Sequence, residues 1–188
     1  PLFWCMLPAI MGPSAFVTAL FFQQVHLSEM KGWSHVSFVA LFPLYTTVVT
    51  AFMLLSGWAI DRFGTARLMP WYQVPIALSF LVMASAESLP GAALAFALMG
   101  VTSGANATLP AAFWAEFYGT RNLGGIKAVA TAAMVLGSAI GPAITGLLID
   151  AGMPFTTQMS GIAIWFIASS LLLTFGVIRA RASLARAA

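Results

Sequence analysis

Long apolar runs, each about the length of a membrane-crossing helix, dominate the sequence. A helix rises about 1.5 Å per residue, so roughly 20 apolar residues cross about 30 Å of hydrocarbon. Backbone groups in lipid must be satisfied within the segment, which favours helices, and a β-barrel would need shorter alternating segments of about ten residues. The sequence therefore predicts an all-α membrane protein with six transmembrane helices, at residues 3–25, 36–60, 68–86, 90–113, 128–149 and 157–178.

The charged residues support this prediction because they gather in the breaks between the runs. The breaks hold all five acidic residues, which are Glu29, Asp61, Glu87, Glu116 and Asp150. Only 7% of the chain is charged and 61% is hydrophobic, whereas an average soluble domain is about 25% charged. Such an inventory cannot cover a water-exposed surface, and the lipid bilayer is the expected environment.

The same composition disfavours several other classes of protein. The net charge of +3 is divided among short loops and forms no basic stripe, so no nucleic-acid partner is expected. The single Cys5 cannot form an internal disulfide. The sequence has no metal-ligand pairs, no glycine-rich phosphate loop and no hydrolase-type serine motif. It predicts neither an enzyme nor a bound cofactor or metal.

The basic residues fall on one side of the predicted membrane. Lys31 follows the first run, but the other seven of the eight basic residues follow the second, fourth and sixth runs: Arg62, Arg67, Arg121, Lys127, Arg179, Arg181 and Arg186. Cytoplasmic loops carry an excess of Lys and Arg. This asymmetry predicts a multi-pass protein of the inner, cytoplasmic membrane with both termini, including Pro1, in the cytoplasm. Because the chain begins at Pro1, we interpret it as a fragment of a longer protein.

Two helix ends resemble each other. The second run ends in SGWAIDRFG and the fifth in TGLLIDAG, so Ser56-Gly57 with Asp61 matches Thr145-Gly146 with Asp150. These are the middle helices of two successive three-helix units, and an odd number of spans inverts the second unit. The pattern predicts two inverted three-helix repeats, a common plan of secondary transporters. Chance similarity of two short helix ends is the alternative.

Three motifs are similar to those of one transporter family. The loop GWAIDRFGTAR fits the G-x-x-x-D-R-x-G-x-x-R signature of the major facilitator superfamily at Gly57, Asp61, Arg62, Gly64 and Arg67. The segment GSAIGPAITG resembles the Gly-Pro motif of a fifth helix in that family, at Gly137, Gly141, Pro142 and Gly146. The segment EFYGTRNLGGIK resembles the loop between fourth and fifth helices, with Glu116 and Arg121.

The resemblance implies half of the family's fold, and it favours the C-terminal half. The fourth run lacks the early Arg that many N-terminal halves carry, and the basic tail after the sixth run suits a chain end. An inter-half linker is the alternative interpretation of that tail. The missing N-terminal six-helix half is then the expected partner of this chain.

The resemblance also implies a cytoplasmic gate. In the family, such a charged cluster closes the cytoplasmic side while the cavity faces outward. An acid at a helix end can cap free N–H groups of a neighbouring helix, which is the expected role of Asp61. Arg62, Arg67 and Arg121 are expected within pairing range of Glu116. The alternative is that these are ordinary interfacial charges.

Polar residues at membrane depth are the candidates for a solute cavity. They lie in the runs that the family places around its cavity, and they are Thr18, Gln23, Tyr45, Thr46, Thr102, Asn106 and Ser138. Asn106 and Gln23 are the strongest candidates because a buried amide without partners is costly. Hydroxyls in membrane helices mostly bond to their own backbone, which is the alternative for the others.

The predicted function is secondary active or facilitative transport of a small organic solute by alternating access. A non-transporting scaffold or receptor with the same fold is the alternative. Glycines at four-residue spacing are interpreted as sites of close helix packing, and Pro142 is expected to kink the fifth helix.

Overall fold

The computed structural model describes residues 2–185, with side chains through Ala180. Predictions for Pro1, for Arg186 and for the Arg181 side chain lie outside the described residues. The described residues are helical and contain no strand. The helices are α1 Leu2–Phe22, α2 Gln24–Met30, α3 His35–Val39, α4 Phe42–Phe63, α5 Thr65–Leu68, α6 Val74–Ser85, α7 Leu89–Tyr118, α8 Leu123–Asp150 and α9 Phe155–Ala185.

Five helical segments of the described chain are long and apolar enough to cross a membrane. They are Leu2–Phe22, His35–Phe63, Leu89–Tyr118, Leu123–Asp150 and Phe155–Ala180. The second of these joins α3 and α4 across a short turn before Pro43.

The third predicted run is not one continuous helix. It divides into α5, a turn over residues 69–73, and α6, which has only 12 residues. Pro70 lies in this turn and Pro75 in the first turn of α6, and neither has an N–H group to donate to the helical hydrogen-bond ladder. The prediction of an unbroken helix over 68–86 was therefore wrong.

The Thr102 hydroxyl of α7 pairs with backbone groups at this break. It accepts a hydrogen bond from the Ile76 N–H at 3.1 Å and donates to the Tyr72 carbonyl oxygen at 2.8 Å. These two backbone groups would bond to each other in a regular helix, so the hydroxyl takes the place of one rung. Thr102 is fully buried, where an unpaired backbone group would be costly.

A second backbone group without a helical partner is the Ala9 carbonyl of α1. Pro13 lies inside α1 and cannot donate to the carbonyl of Ala9. The Tyr72 hydroxyl donates to that carbonyl at 3.0 Å, and the Gln73 amide donates to it as well. Tyr72 and Gln73 are both buried, so the turn between α5 and α6 is tied to α1.

The long helices pack in specific pairs. α4 packs along α7, α1 packs along α8, and α6 contacts both α7 and α9, while α1 also contacts α9. Two glycines permit the closest approaches. A Cβ built on Gly141 of α8 would lie 2.6 Å from the carbonyl carbon of Ala15, and one built on Gly104 of α7 would lie 2.8 Å from the Met53 nitrogen.

The core lies mainly between α1, α6, α7 and α9. One apolar cluster includes Phe80, Phe96 and Phe166, and a second includes Met6 and Trp114. α4 contributes no buried residue, and α8 buries only Ala130, Gly137, Gly141 and Thr145. Two of the five membrane-length helices therefore keep one broad face outside the core of this chain.

We expect Gly141→Ala to destabilise the protein, because the new methyl group would meet backbone atoms of α1 that cannot rotate away. Overpacking of this kind costs about 1–3 kcal/mol, so the full-length protein in detergent should melt at a lower temperature. Gly161→Ala in α9 is the matched control, since nothing lies within 4 Å of the point where its Cβ would stand. Equal melting temperatures for the two variants would contradict the packing interpretation.

Candidate functional site

A cavity of about 480 Å³ lies between α1, α7 and α8. Polar side chains from two helices face it: Ser103 and Asn106 from α7, and Lys127 and Thr131 from α8. Its other walls are mostly apolar and are formed by Ile10, Ala107, Pro110, Ala111, Trp114, Ala130 and Met134. The cavity therefore combines a few polar groups with an apolar lining, which is the usual character of a small-molecule site.

Asn106 has an unpaired buried atom in this cavity. Its Oδ1 is shielded from solvent and has no hydrogen-bond partner among the described residues. A buried amide oxygen without a partner is costly, and such groups in native structures call for an explanation. Asn106 was one of the two strongest candidates from the sequence.

Tyr45 and Ser103 form a hydrogen bond beside Asn106. The Tyr45 hydroxyl donates to the Ser103 Oγ at 3.0 Å. Because Ser103 accepts from Tyr45, its own hydroxyl hydrogen is left to donate towards the cavity. Tyr45 is therefore a neighbour of the cavity and orients one of the side chains that line it.

The sequence analysis missed two residues of this site, Lys127 and Thr131. Lys127 was used there only as a topology signal. The two residues are four apart on α8, with Met134 one turn further, so they share one face of the helix. That spacing is visible in the sequence, but only the packing of α8 beside α7 brings this face to Asn106.

The remaining cavity candidates lie elsewhere. Thr102 is fully buried and both of its hydrogen-bonding roles serve the backbone of α6, so it is not available to a solute. Thr46 and Ser138 bond to their own helices, at Pro43 and Val135. Thr18 and Gln23 are half-buried on or beside α1 and do not line this cavity.

The Gly-Pro segment shapes α8. Gly137 and Gly141 face α1, where a Cβ on Gly137 would lie 3.1 Å from the Met11 carbonyl oxygen. α8 runs as one helix through Pro142. Gly146 lies near Gln23, and a Cβ on Gly146 would lie 3.4 Å from the Gln23 amide nitrogen. The glycines thus allow α1 to approach α8 along one wall of the cavity.

The loop between α4 and α5 is organised by Glu116 of α7. One Glu116 carboxylate oxygen accepts hydrogen bonds from the Thr65 hydroxyl at 2.5 Å and from the Thr65 N–H at 3.3 Å. Gly64 precedes this helix start with a φ of +75°, a backbone conformation that favours glycine. Glu116 therefore caps the N-terminus of α5. The sequence predicted that an acid would cap a neighbouring helix, but the predicted acid was Asp61.

Asp61 and the arginines do not form the expected contacts. Asp61, Arg62, Arg67 and Arg121 are exposed, and none of them forms an ion pair or a hydrogen bond with another described side chain. Asp61 lies in the last turn of α4, where free carbonyl groups rather than N–H groups are exposed. Gly57 has open space beside it instead of a packed helix.

Lys31 organises the opposite end of the bundle. Its ammonium group donates to the carbonyl oxygens of Ala84 at 2.6 Å and Ala86 at 2.8 Å, at the end of α6. Partial burial lowers the pKa of Lys31, and the Glu87 carboxylate opposes that shift. The one basic residue that departs from the charge asymmetry thus caps a helix.

The sequence matches the family model of the Major Facilitator Superfamily over residues 2–186. This match covers almost the whole chain, and the chain belongs to that superfamily. Members of the family are transporters. The family and the long apolar helices together identify an integral, multi-pass membrane protein of the transporter class. A search of the curated proteins finds no match.

We expect Thr102→Val to destabilise the protein, since it would leave the Ile76 N–H and the Tyr72 carbonyl unpaired in the core. An unsatisfied buried group costs about 1–3 kcal/mol. Thr174→Val is the matched control, because the Thr174 hydroxyl bonds only to the Ser170 carbonyl of its own helix. Thermal unfolding of the full-length protein in detergent should show a clear loss for Thr102→Val only. Similar losses for both variants would mean that Thr102 has no special role.

Proposed function

We propose that this chain provides one half of a secondary active or facilitative transporter that moves a small organic solute by alternating access. The observation that carries the proposal is a cavity of about 480 Å³ that is lined by a few polar side chains, Asn106 among them. Ligand sites for small molecules have volumes of about 300–1,000 Å³. A non-transporting scaffold or receptor with the same fold is the alternative.

The chain is proposed to have six spans in two inverted repeats. Residues 65–85 would form the remaining span, since a broken helix is tolerated in a membrane where neighbouring side chains satisfy its backbone. The contact pattern supports the repeats. If the first three spans are matched in order with the last three, α1 corresponds to α7, α4 to α8 and α6 to α9. The contact of α1 with α8 then corresponds to that of α7 with α4, and the contact of α6 with α7 to that of α9 with α1.

The proposed partner of the chain is the N-terminal six-helix half. α4 flanks α7, and α8 flanks α1. Both α4 and α8 present large apolar side chains outward, such as Leu54 and Leu147, which are each 69% exposed. Such faces suit either lipid or another helical half. The cavity between α1, α7 and α8 would then be closed by the second half.

The proposed orientation places both termini in the cytoplasm, in the inner membrane. Arg62, Arg67 and Arg121 lie at one end of the bundle, the end where Thr65 contacts Glu116. We call this the basic end. It would face the cytoplasm by the positive-inside rule.

The loop at the basic end is proposed to act as a cytoplasmic gate. The proposed gate residues are Gly57, Asp61, Arg62, Gly64 and Arg67, in and around the loop between α4 and α5, together with Glu116 and Arg121. Asp61 is exposed at the end of α4, so its carboxylate is free to cap a helix of the other half when the cytoplasmic side closes. In this proposal, Glu116 holds the loop in shape while Asp61 makes the contact that opens and closes.

Asn106→Ala should lower transport at least tenfold without lowering expression, because a solute would lose a polar partner in a site shielded from water. Ser85→Ala is the control, since the Ser85 hydroxyl bonds within its own helix at Leu81 and Val82. The measurement is uptake of a mixed panel of labelled carboxylates, sugars and amino acids by proteoliposomes with the full-length protein. If no solute of the panel is taken up, the proposed function is overturned.

Asp61→Asn should shift the protein towards the inward-open state and reduce transport. A contact worth about 1 kcal/mol changes a two-state population several-fold. The readout is the labelling rate of Asn106→Cys from the cytoplasmic side, in a Cys5→Ser background. Asp150→Asn is the matched control, because Asp150 ends α8 at the opposite end of the bundle. An unchanged labelling rate in Asp61→Asn would mean that the charges of the loop only set the orientation of the protein in the membrane.

A further inference from the structure

The charge of the cavity lining points to the chemical class of the solute. Lys127 is the only charged side chain among the lining residues, and none of them is acidic. We propose that the solute is a small organic anion and that the Lys127 ammonium group binds its carboxylate. This inference rests on the proposed function, because it concerns the same cavity.

Lys127 lies between the basic end and Asn106. It is about 6 Å along α8 from the start of that helix, and Asn106 is about 18 Å along α7 from its end at Tyr118, at 1.5 Å per residue. The two helix ends are joined by a short loop, so Lys127 is about 12 Å closer to the basic end than Asn106. A solute anchored at Lys127 would extend from there towards Asn106.

The Lys127 ammonium group is available for a ligand. It forms no ion pair and no hydrogen bond with the other side chains that the structure describes. Glu116, the nearest acid along α7, does not line the cavity and is bonded to Thr65. Lys127 is exposed at the rim of the cavity, so a ligand can reach its ammonium group. No protein carboxylate competes for it within the cavity lining.

The other polar groups of the cavity are mostly hydrogen-bond donors. The Ser103 hydroxyl already accepts from Tyr45, so it can donate to a ligand. Thr131 has no hydrogen bond within the described chain, and the Asn106 amide has two N–H donors. Thr131 is one helical turn from Lys127, so its hydroxyl is the donor placed to share a carboxylate with the ammonium group. A cationic solute would be repelled by the Lys127 charge and would find no acidic side chain among the lining residues.

The apolar walls suggest the rest of the solute. Ile10, Pro110, Trp114 and Met134 surround the polar groups, and the Trp114 side chain is almost fully buried. These side chains suit a short aliphatic or aromatic body attached to the anionic group. The expected solute is therefore a compact monocarboxylate rather than a highly hydroxylated one.

The test compares acids with their neutral amides, which are close to them in size. Proteoliposomes of phosphatidylcholine with the full-length protein are given labelled butyrate or butyramide, and benzoate or benzamide. We expect uptake of at least one acid and at least tenfold less of its amide. Lys127→Gln should reduce that uptake about tenfold or more, since it removes a charged hydrogen bond, and Lys127→Arg should restore most of it.

Arg179→Gln is the matched control for the loss of one positive charge. Arg179 is exposed on α9 and does not line the cavity, so this variant should transport normally. Melting curves of all variants show whether each one is folded. A folded Lys127→Gln with unchanged acid uptake would overturn the proposal.

The remaining outcomes separate this proposal from the proposed function and from lipid binding. Equal uptake of acids and amides, with no effect of Lys127→Gln, would overturn the anion proposal but leave a transporter. Uptake of no solute, sugars and amino acids included, would overturn both. An effect of Lys127→Gln that appears only when phosphatidylglycerol is added would assign Lys127 to a lipid phosphate and overturn the role in solute binding.

Discussion

Backbone groups that breaks in the helices leave unpaired inside this bundle are paired by side chains of other segments. Thr102 connects the Ile76 N–H to the Tyr72 carbonyl, and Tyr72 with Gln73 satisfies the Ala9 carbonyl that Pro13 leaves free. Lipid offers no hydrogen bonds, so such a group must find a partner within the protein. These few contacts tie the turn before α6 to α1 and α7.

Close packing at glycines complements these hydrogen bonds. Membrane helices associate through van der Waals contact and gain little from the hydrophobic effect in lipid. Gly104 lets α7 approach α4, and Gly141 lets α8 approach α1. These two tight pairs lie at the sides of the core. α4 and α8 therefore retain free faces, and the cavity opens where α1, α7 and α8 meet.

The cavity and the loop at the basic end share α7. Asn106 lies in the middle of that helix, and Glu116 lies in its last turns, where it caps α5. A movement of α7 would therefore act on both the cavity and the loop. This arrangement gives a physical connection between solute binding and the proposed gate, through one rigid helix rather than through a chain of side chains.

The class of the protein follows from its amino-acid sequence alone. Apolar runs of membrane length, acids confined to the breaks and the loop signature all pointed to a helical transporter of the family that the comparison then showed. The sequence also identified Asn106 as a strong polar candidate. These conclusions were possible because run length, charge position and motif spacing are local properties of a chain.

The meeting of particular polar groups depends instead on how the helices pack. Thr102 lies 26 residues from Ile76 in the sequence, and nothing in the fourth run shows that its hydroxyl replaces a rung of another helix. Glu116 rather than Asp61 caps α5, because α7 brings the Glu116 carboxylate to the Thr65 N–H. Lys127 was only a topology signal until α8 was seen to pack beside Asn106. Each of these roles depends on distances between helices, which hydropathy and motifs do not encode.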